Sequence, residues 1–355
     1  MSRTTMRDVA REAGVSIATV SRVVNGVGPV AEPTRRRVLE AIRRLNYSPN
    51  LVAKSLVHRG TKNLALFVPD IMNPFFPAIA RGVADAVASE GYTVVLCNTD
   101  DSTEMGPHFE RLLRGNFVDG AILCGTAWDA ALLSRLMPAD LPLVVMDRRV
   151  PGLRADSVEV DNRLGGLMAT RHLLDVGCRR ILHLGGPVGV STAEGRLAGY
   201  LEALGAHEAL DPGGTAETDN DLVSRGPFRA ESGYSRTRAA LESGLAFDGI
   251  FAANDLLALG ALQALRQFGR RVPEDVAVIG FDDIYMAALA LPPLSTVAQP
   301  TYRLGTIAGR MLMARLDRSA CPAHPQPEPK RVVLEPSLRI RESTRRGRVR
   351  GSEEE

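Results

Sequence analysis

Side chains suited to binding a small polyhydroxylated molecule recur in this chain at the carboxyl ends of short apolar runs. Asp70 and Asn73-Pro74-Phe75-Phe76 follow the first run, and Asp147-Arg148 follow the fourth. Arg196 comes soon after Ile181–Leu184, Asn254-Asp255 follow Gly249–Ala252, and Asp282-Asp283 follow Val276–Ile279. Gln299 follows Ser295–Val297, and Phe228 lies beyond an intervening strand. Hydroxyl groups both donate and accept, so a carboxylate takes one hydrogen while an Arg or an amide gives another. Phe rings cover the apolar C–H face of a sugar. Each residue also has a plainer reading, since a strand-end Asp commonly caps a helix and Phe75 or Phe76 can belong to a core. A second set lies near the amino end, where Ile17, Ala18, Ser21, Arg22 and Asn25 share one side of a short helix, opposite Val20, Val23 and Val24. An Arg takes guanine bidentately and Ile or Ala touches a thymine methyl, so this small face suits a DNA major groove.

The elements that present the second set are legible from Met6 to Asn25. Thr5 caps a first helix, with Asp8 three residues on closing a capping box. Val9, Ala10 and Ala13 make its apolar stripe. Gly14 supplies the backbone freedom for a turn, and Ser16 is placed to cap the second helix. Two short helices joined this way form a helix-turn-helix, the alternative being an ordinary helical hairpin in a larger core. A third helix is expected roughly from Glu32 to Leu45, with Pro33 in its first turn, Ala31 as a poor cap, and Val38, Ala41, Ile42 and Leu45 closing a three-helix core. Tyr47-Ser48-Pro49-Asn50 ends it, and Asn50 caps one more short helix, Leu51 to Val57. Two turns are too short to persist alone in water, so this segment is expected to order on DNA.

From Asn63 the rhythm changes to strand–helix alternation. The apolar runs Leu64–Val68, Thr93–Cys97, Gly120–Cys124, Leu143–Met146, Ile181–Leu184, Gly249–Ala252 and Val276–Ile279 are separated by segments of helix length, several ending at a Gly such as Gly177 or Gly244. The pattern occurs twice, about 63–160 and 162–290, which predicts an α/β body of two doubly wound parallel-sheet subdomains. Leu291-Pro292-Pro293 marks the expected passage between them, and Pro322 to Lys330 reads as a loop before a last strand pair, Arg331–Leu334 and Leu338–Arg341. The expected division is a headpiece at 1–49, a hinge and linker at 50–62, and a body at 63–341. Within the body, 63–161 plus 293–321 form an N-subdomain and 162–291 plus 322–341 a C-subdomain, leaving a disordered tail at 342–355. In open sheets of this kind ligands bind beyond the carboxyl ends of strands, where the first set of residues falls.

The chain has 355 residues, 45% hydrophobic and 24% charged, which places it among globular proteins large enough for more than one domain. No run of eighteen apolar residues occurs and the first residues lack an export signal's apolar core, so a cytoplasmic protein without a membrane anchor is expected. Cys97, Cys124, Cys178 and Cys321 are scattered, with no metal-ligand spacing, and read as reduced thiols. The net charge of +2 hides an asymmetry: residues 1–62 carry 12 Lys/Arg against 4 Asp/Glu, and the remainder carries 31 against 37. A basic module on a mildly acidic body points to nucleic acid at one end only.

Asp8-Val9-Ala10, Ala13-Gly14-Val15-Ser16, Ala18-Thr19-Val20-Ser21-Arg22-Val23 and Asn25-Gly26 together resemble the DNA-binding headpiece of the LacI/GalR (lac repressor) family. That resemblance implies that Ile17, Ala18 and Arg22 read bases, while Thr5, Ser16, Thr19, Ser21 and Asn25 contact phosphates. Ala53-Lys54-Ser55-Leu56 resembles the family's hinge helix, so Ala53, Lys54 and Leu56 would enter the minor groove, with Leu56 as the apolar wedge. The body resembles periplasmic sugar-binding proteins. The ribose-type pattern then implies that Asn73, Phe75, Phe76, Asp147, Arg148, Arg196, Phe228, Asn254, Asp282 and Gln299 line an effector cleft. The function implied is a homodimeric repressor of a palindromic operator, controlled by a pentose or similar sugar, with no cofactor and no metal. A purine-responsive corepressor on the same fold is the alternative, and a sugar carrier would leave residues 1–62 unexplained. Gly185-Gly186-Pro187-Val188-Gly189 lacks dinucleotide-loop spacing, and no Walker A, HExxH or GxSxG occurs, so no enzyme is expected.

Overall fold

A computed structural model describes residues 4–25, 27–47, 60–210, 220–319 and 328–345, in two units, Met1–Thr61 and Lys62–Glu355. The helix expected over Leu51–Val57, with Asn50 and the hinge residues Ala53, Lys54 and Leu56, lies outside the described residues, as do Cys321 and the side chain of Asn25.

The first unit holds three helices, α1 (Met6–Ala13), α2 (Ile17–Asn25) and α3 (Glu32–Arg44). The capping box forms, with Asp8 accepting from Thr5 N at 2.9 Å and from Thr5 Oγ1 at 2.6 Å. These bonds hold the Asp8 carboxyl below its usual range. Gly14 turns the chain at φ +61°, and Ser16 Oγ accepts from Thr19 N at 3.1 Å to start α2. Val9, Ala10, Ala13, Val20, Val38, Ala41 and Tyr47 close the core, so a nine-residue helix such as α2 owes its order to packing rather than to its own length.

The second unit holds two six-stranded sheets. In the first the order is β11 (Arg331–Leu334), β5 (Asp156–Val160), β4 (Leu143–Met146), β3 (Gly120–Cys124), β1 (Asn63–Val68), β2 (Thr93–Asn98), and each neighbouring pair is parallel. In the second it is β12 (Ser337–Arg339), β10 (Ser295–Ala298), β9 (Ala277–Asp282), β8 (Gly249–Ala252), β6 (Ile181–Gly185), β7 (Val223–Arg225), with only β12 antiparallel. The helices that bear on function are α4 (Phe75–Ala88), α7 (Asn162–Asp175), α8 (Ser191–Leu210), α9 (Ala230–Glu242), α10 (Asp255–Gln267) and α12 (Thr301–Ser319). Shorter helices α5 (Pro107–Arg114), α6 (Ala130–Leu136) and α11 (Tyr285–Leu289) complete the set. Gly177 and Gly244 follow α7 and α9 at φ +92° and +73°, the left-handed conformation that lets a helix stop within one residue. Among the described residues no helix is long and apolar enough to cross a membrane, and Cys97, Cys124 and Cys178 are buried.

Three expectations about the body are corrected. The chain crosses back after β10, at Gln299-Pro300, and not at Leu291-Pro292-Pro293, because β10 belongs to the second sheet. Segment 293–321 is therefore split: α12 packs on α4 with backbones so close that a Cβ on Gly305 would lie 2.2 Å from Ile79 O. The last two strands are not a pair, since β11 pairs parallel with β5 and β12 antiparallel with β10, so 322–341 is shared by both subdomains. Finally, the start of the expected tail is packed: Ser343 and Thr344 are fully buried, and Ser343 Oγ donates to Val278 O at 2.6 Å while accepting from Ser295 N at 2.8 Å. Strand β5 is absent from the apolar runs because it buries Asp156 and Glu159. Their charge is met by Arg315 at 2.6 Å and by Arg149 and Arg331 at 2.8 and 2.5 Å.

Candidate functional site

On α2 the side chains of Ile17, Ala18 and Arg22 are exposed, and Val20 is buried on the opposite side. An Ile 45% exposed on a helix this small has no partner in its own core, and with the exposed Arg22 it forms a face that is apolar at one end and cationic at the other. Ser16 and Thr19 hydroxyls lie 2.9 Å apart at the start of α2. Arg7, Arg11, Arg35, Arg36, Arg37, Arg43 and Arg44 are all exposed, Arg44 reaching Glu12 at 2.8 Å.

In the second unit the strand ends of the two sheets open on one cleft. Its lining takes in Asn73, Phe75, Phe76, Asp147, Arg148, Arg196, Phe228, Asn254 and Asp282. Gln299 does not line it but stands behind it, donating from Nε2 to Asp282 Oδ1 at 2.7 Å. Asp70, Asp101, Thr192 and Arg229 also line the cleft. Of these, sequence position singles out only Asp70, at a strand end.

Arg196, 4% exposed, is the best-anchored group. It donates from Nε to Asn162 Oδ1 at 2.8 Å and from Nη1 to Ala253 O at 2.5 Å, and its guanidinium lies 3.8 Å over the Phe281 ring. Nη2 stands 3.8 Å from Asp282 Oδ1, and the Phe228 ring is 5.9 Å from the guanidinium. Burial pulls the Arg196 pKa down, opposed by Asp282 and Asp147. Burial pushes the Asp282 carboxyl up to about 7, against the pull of Arg196 and the Gln299 hydrogen bond. Asp147 is raised for the same reason, with Arg196 and Arg148 opposing. Both aspartates sit at positive φ, +70° for Asp147 and +116° for Asp282, so each strand turns sharply as it delivers its carboxylate.

The remaining members divide between lining and support. Asn254 Oδ1 caps α10 through Leu257 N at 2.9 Å, the plainer role foreseen for a strand-end residue, while its Nδ2 reaches Phe228 O at 3.4 Å. Asn73 Oδ1 accepts from Phe75 N at 3.1 Å, and the Phe75 and Phe76 rings meet edge to face at 5.1 Å. Arg148 Nη1 contacts Asp101 Oδ1 at 3.3 Å. Among the described residues, Arg148 Nε and Gln299 Oε1 are buried without a hydrogen-bond partner. Ser191 Oγ accepts from Arg149 N at 3.0 Å, joining the start of α8 to the loop after β4. The arrangement sets one guanidinium and two aspartates between aromatic walls, with their remaining valences open to a ligand rich in hydroxyl groups. Asn162, which orients Arg196, escapes sequence reasoning because it follows β5, the one strand whose buried acids hide it.

Comparison with known proteins matches both parts. The profile of bacterial regulatory proteins of the lacI family covers residues 5–50, and that of a periplasmic binding protein-like domain covers residues 170–344. The chain is similar to the ribose operon repressor of Halalkalibacterium halodurans, 38% identical over 344 residues, 97% of this chain and 98% of the relative. Among solved structures it resembles the transcriptional regulator CelR–cellobiose complex, at 38% identity and TM-score 0.70 over 96% of this chain and 100% of that one. It also resembles the lac repressor dimer bound to operator and the anti-inducer ONPF, at 26% identity and TM-score 0.80 over 97% and 99%.

Proposed function

Because this chain belongs to the lacI family of bacterial regulatory proteins, we propose that it is a transcriptional repressor whose hold on its operator is set by a small sugar in the cleft. The observation that carries the effector reading is the buried Arg196–Asp282 pair, 3.8 Å apart, with Phe75 and Phe76 on one side and Phe228 on the other. A pentose or related monosaccharide fits it: hydroxyls donate to Asp147 and Asp282, accept from Arg196, Arg148 and Asn254, and lay the ring's C–H face on Phe. The relatives support a sugar effector, one being named a ribose operon repressor and another solved with the disaccharide cellobiose.

On DNA, α2 enters the major groove, Arg22 takes a guanine, and Ile17 and Ala18 meet thymine methyls. Thr5, Ser16, Thr19, Ser21 and Asn25 hold phosphates and so fix register without reading sequence. A homodimer places two such heads on a palindrome, and Ala53, Lys54 and Leu56 enter the minor groove between them. The chain runs from that segment into β1 at Asn63, the first strand of the sheet that carries Phe75, Phe76 and Asp147 at its ends. Sugar that draws the two subdomains together therefore acts at the root of the hinge, and coupling of this kind is worth ~1–3 kcal/mol per ligand.

The test is fluorescence anisotropy of the full chain on a duplex selected from a random pool, with and without D-ribose, other pentoses, hexoses, cellobiose and purine bases. At physiological salt the selected duplex is expected to bind at least about 1,000-fold more tightly than random duplex. One of the sugars is expected to shift that affinity by about 5- to 150-fold. Equal binding of selected and random duplex overturns the operator reading, and a shift produced by a purine base alone overturns the sugar.

A further inference from the structure

The wall that carries Phe228 hangs on one of the two three-residue edge strands of its sheet. Strand β7 has three residues, lies at the sheet edge, pairs only with β6 (His183↔Val223, Leu184↔Ser224, Gly185↔Arg225), and has no buried residue. A strand so short contributes little pairing of its own. Yet the loop after it sets Phe228 so close to the loop after β6 that a Cβ on Gly186 would lie 2.2 Å from the ring. The Asn254 contact to Phe228 O, at 3.4 Å, is at the limit of a hydrogen bond. Side chains add to the hold: Arg225, the last residue of β7, pairs with Glu194 of α8 at 2.5 and 3.0 Å, and Glu194 also accepts from Gly189 N in the loop after β6 at 3.0 Å.

The tie that reaches both strands directly is Arg236, on the second turn of α9. Its Nη1 donates to Gly185 O at 2.8 Å and to Ser224 O at 2.7 Å, the carbonyls of the last residue of β6 and the middle residue of β7. Its Nε donates to Ser232 O at 3.2 Å, which aims the guanidinium, and a Cβ on Gly226 would come within 3.3 Å of that nitrogen. Among the described residues no carboxylate pairs with Arg236, and burial pushes its pKa down to about 10. The side chain is still a cation at neutral pH, and its charge is met by backbone carbonyls alone. A planar guanidinium reaches two carbonyls on separate strands at once, which a lysine ammonium on a flexible stem does less well.

We propose that Arg236 is a positioning residue of the cleft: by tying the end of β6 to β7 it sets where the Phe228 ring stands, and so how closely one face of the effector is covered. This inference rests on the effector reading of the cleft, and the test separates the two. Hydrogen exchange of the effector-free full chain is followed for peptides spanning 223–229, beside calorimetric titration with D-ribose, in wild type, Arg236→Met, Arg236→Lys, Phe228→Ala and the Arg236→Met/Phe228→Ala double variant. Arg236→Met is expected to speed exchange in 223–229 by about tenfold or more while peptides of the first sheet are unchanged, and Arg236→Lys to fall between. D-ribose affinity is expected to drop about tenfold in Arg236→Met, and the double variant to bind no more weakly than Phe228→Ala alone, because both changes remove the same wall. Unchanged exchange in 223–229, or losses of affinity that simply add, overturns the proposal. Faster exchange in a chain whose wild type ignores D-ribose upholds the clamp and overturns ribose as the effector. If Arg236→Met fails to fold, Arg236→Lys carries both comparisons.

Discussion

The two functional surfaces of this chain are built in opposite ways. The face proposed for DNA is exposed and drawn from one helix, so Ile17, Ala18 and Arg22 would each act largely alone. The cleft is assembled from residues between Asp70 and Asp282, and it is held by its neighbours: Asn162 and Ala253 hold Arg196, Gln299 holds Asp282, and Asn254 caps α10. Exposed contacts lose their own energy when removed. Buried ones also strand the partner they leave behind.

The strongest way to break that comparison is Arg196→Ala. Removing the guanidinium takes the nearby cation from Asp282 and the donors from Asn162 Oδ1 and Ala253 O, so effector response is expected to vanish, an affinity loss of about 100-fold or more, with operator affinity in the absence of effector unchanged. Anisotropy titrations with and without the active sugar check this, and a retained response would move the effector out of the cleft. Arg22→Ala comes next. A single exposed base contact is expected to cost ~1–3 kcal/mol and to relax specificity at one operator position, with effector affinity untouched. A base-by-base binding scan shows whether one position loosens or all weaken together, the latter demoting Arg22 to a phosphate contact.

The smallest expected effect is a pH slope confined to the body. Asp282 is raised to about 7 in the folded chain and titrates near 4 when unfolded, so between those values the folded state holds the extra proton. Stability is therefore greatest below pH 4 as far as this group goes, and is lost as pH rises through about 7. Thermal midpoints of the effector-free chain are expected to fall between pH 5 and pH 8. Asp282→Asn is expected to flatten part of that fall, the rest belonging to Asp147 and Asp255, both raised by burial. An equal slope in wild type and variant removes Asp282 from the account.

How much was legible follows from the same contrast. The headpiece is readable residue by residue because caps, turn and apolar stripe are all set within a few positions of one another. The cleft is readable only as a list of strand ends: each of Asp147, Arg196, Asn254 and Asp282 announces itself by following an apolar run. Their supports do not. Asn162 follows a strand disguised by buried acids, Thr192 is one residue into α8, and Arg236 is an ordinary helical Arg until its carbonyl partners are seen. The same limit explains the misplaced crossovers. A short strand's own residues do not say which sheet edge it joins, and β11 and β12, two residues apart, go to different sheets.

Sequence alone determined what depends on neighbours along the chain: the helix-turn-helix, the strand–helix rhythm, the basic amino end, and the residue types that a hydroxyl-rich ligand requires. Tertiary structure decided what depends on neighbours in space. It chose which strand ends share a cleft, turned Asp282 and Asp147 inward and raised their pKa by burial, and ordered Ser343 and Thr344 in what reads as a tail. The reason is range: capping and periodicity act over three or four residues, whereas sheet order, burial and charge pairing are settled only when segments hundreds of residues apart compete for the same partners.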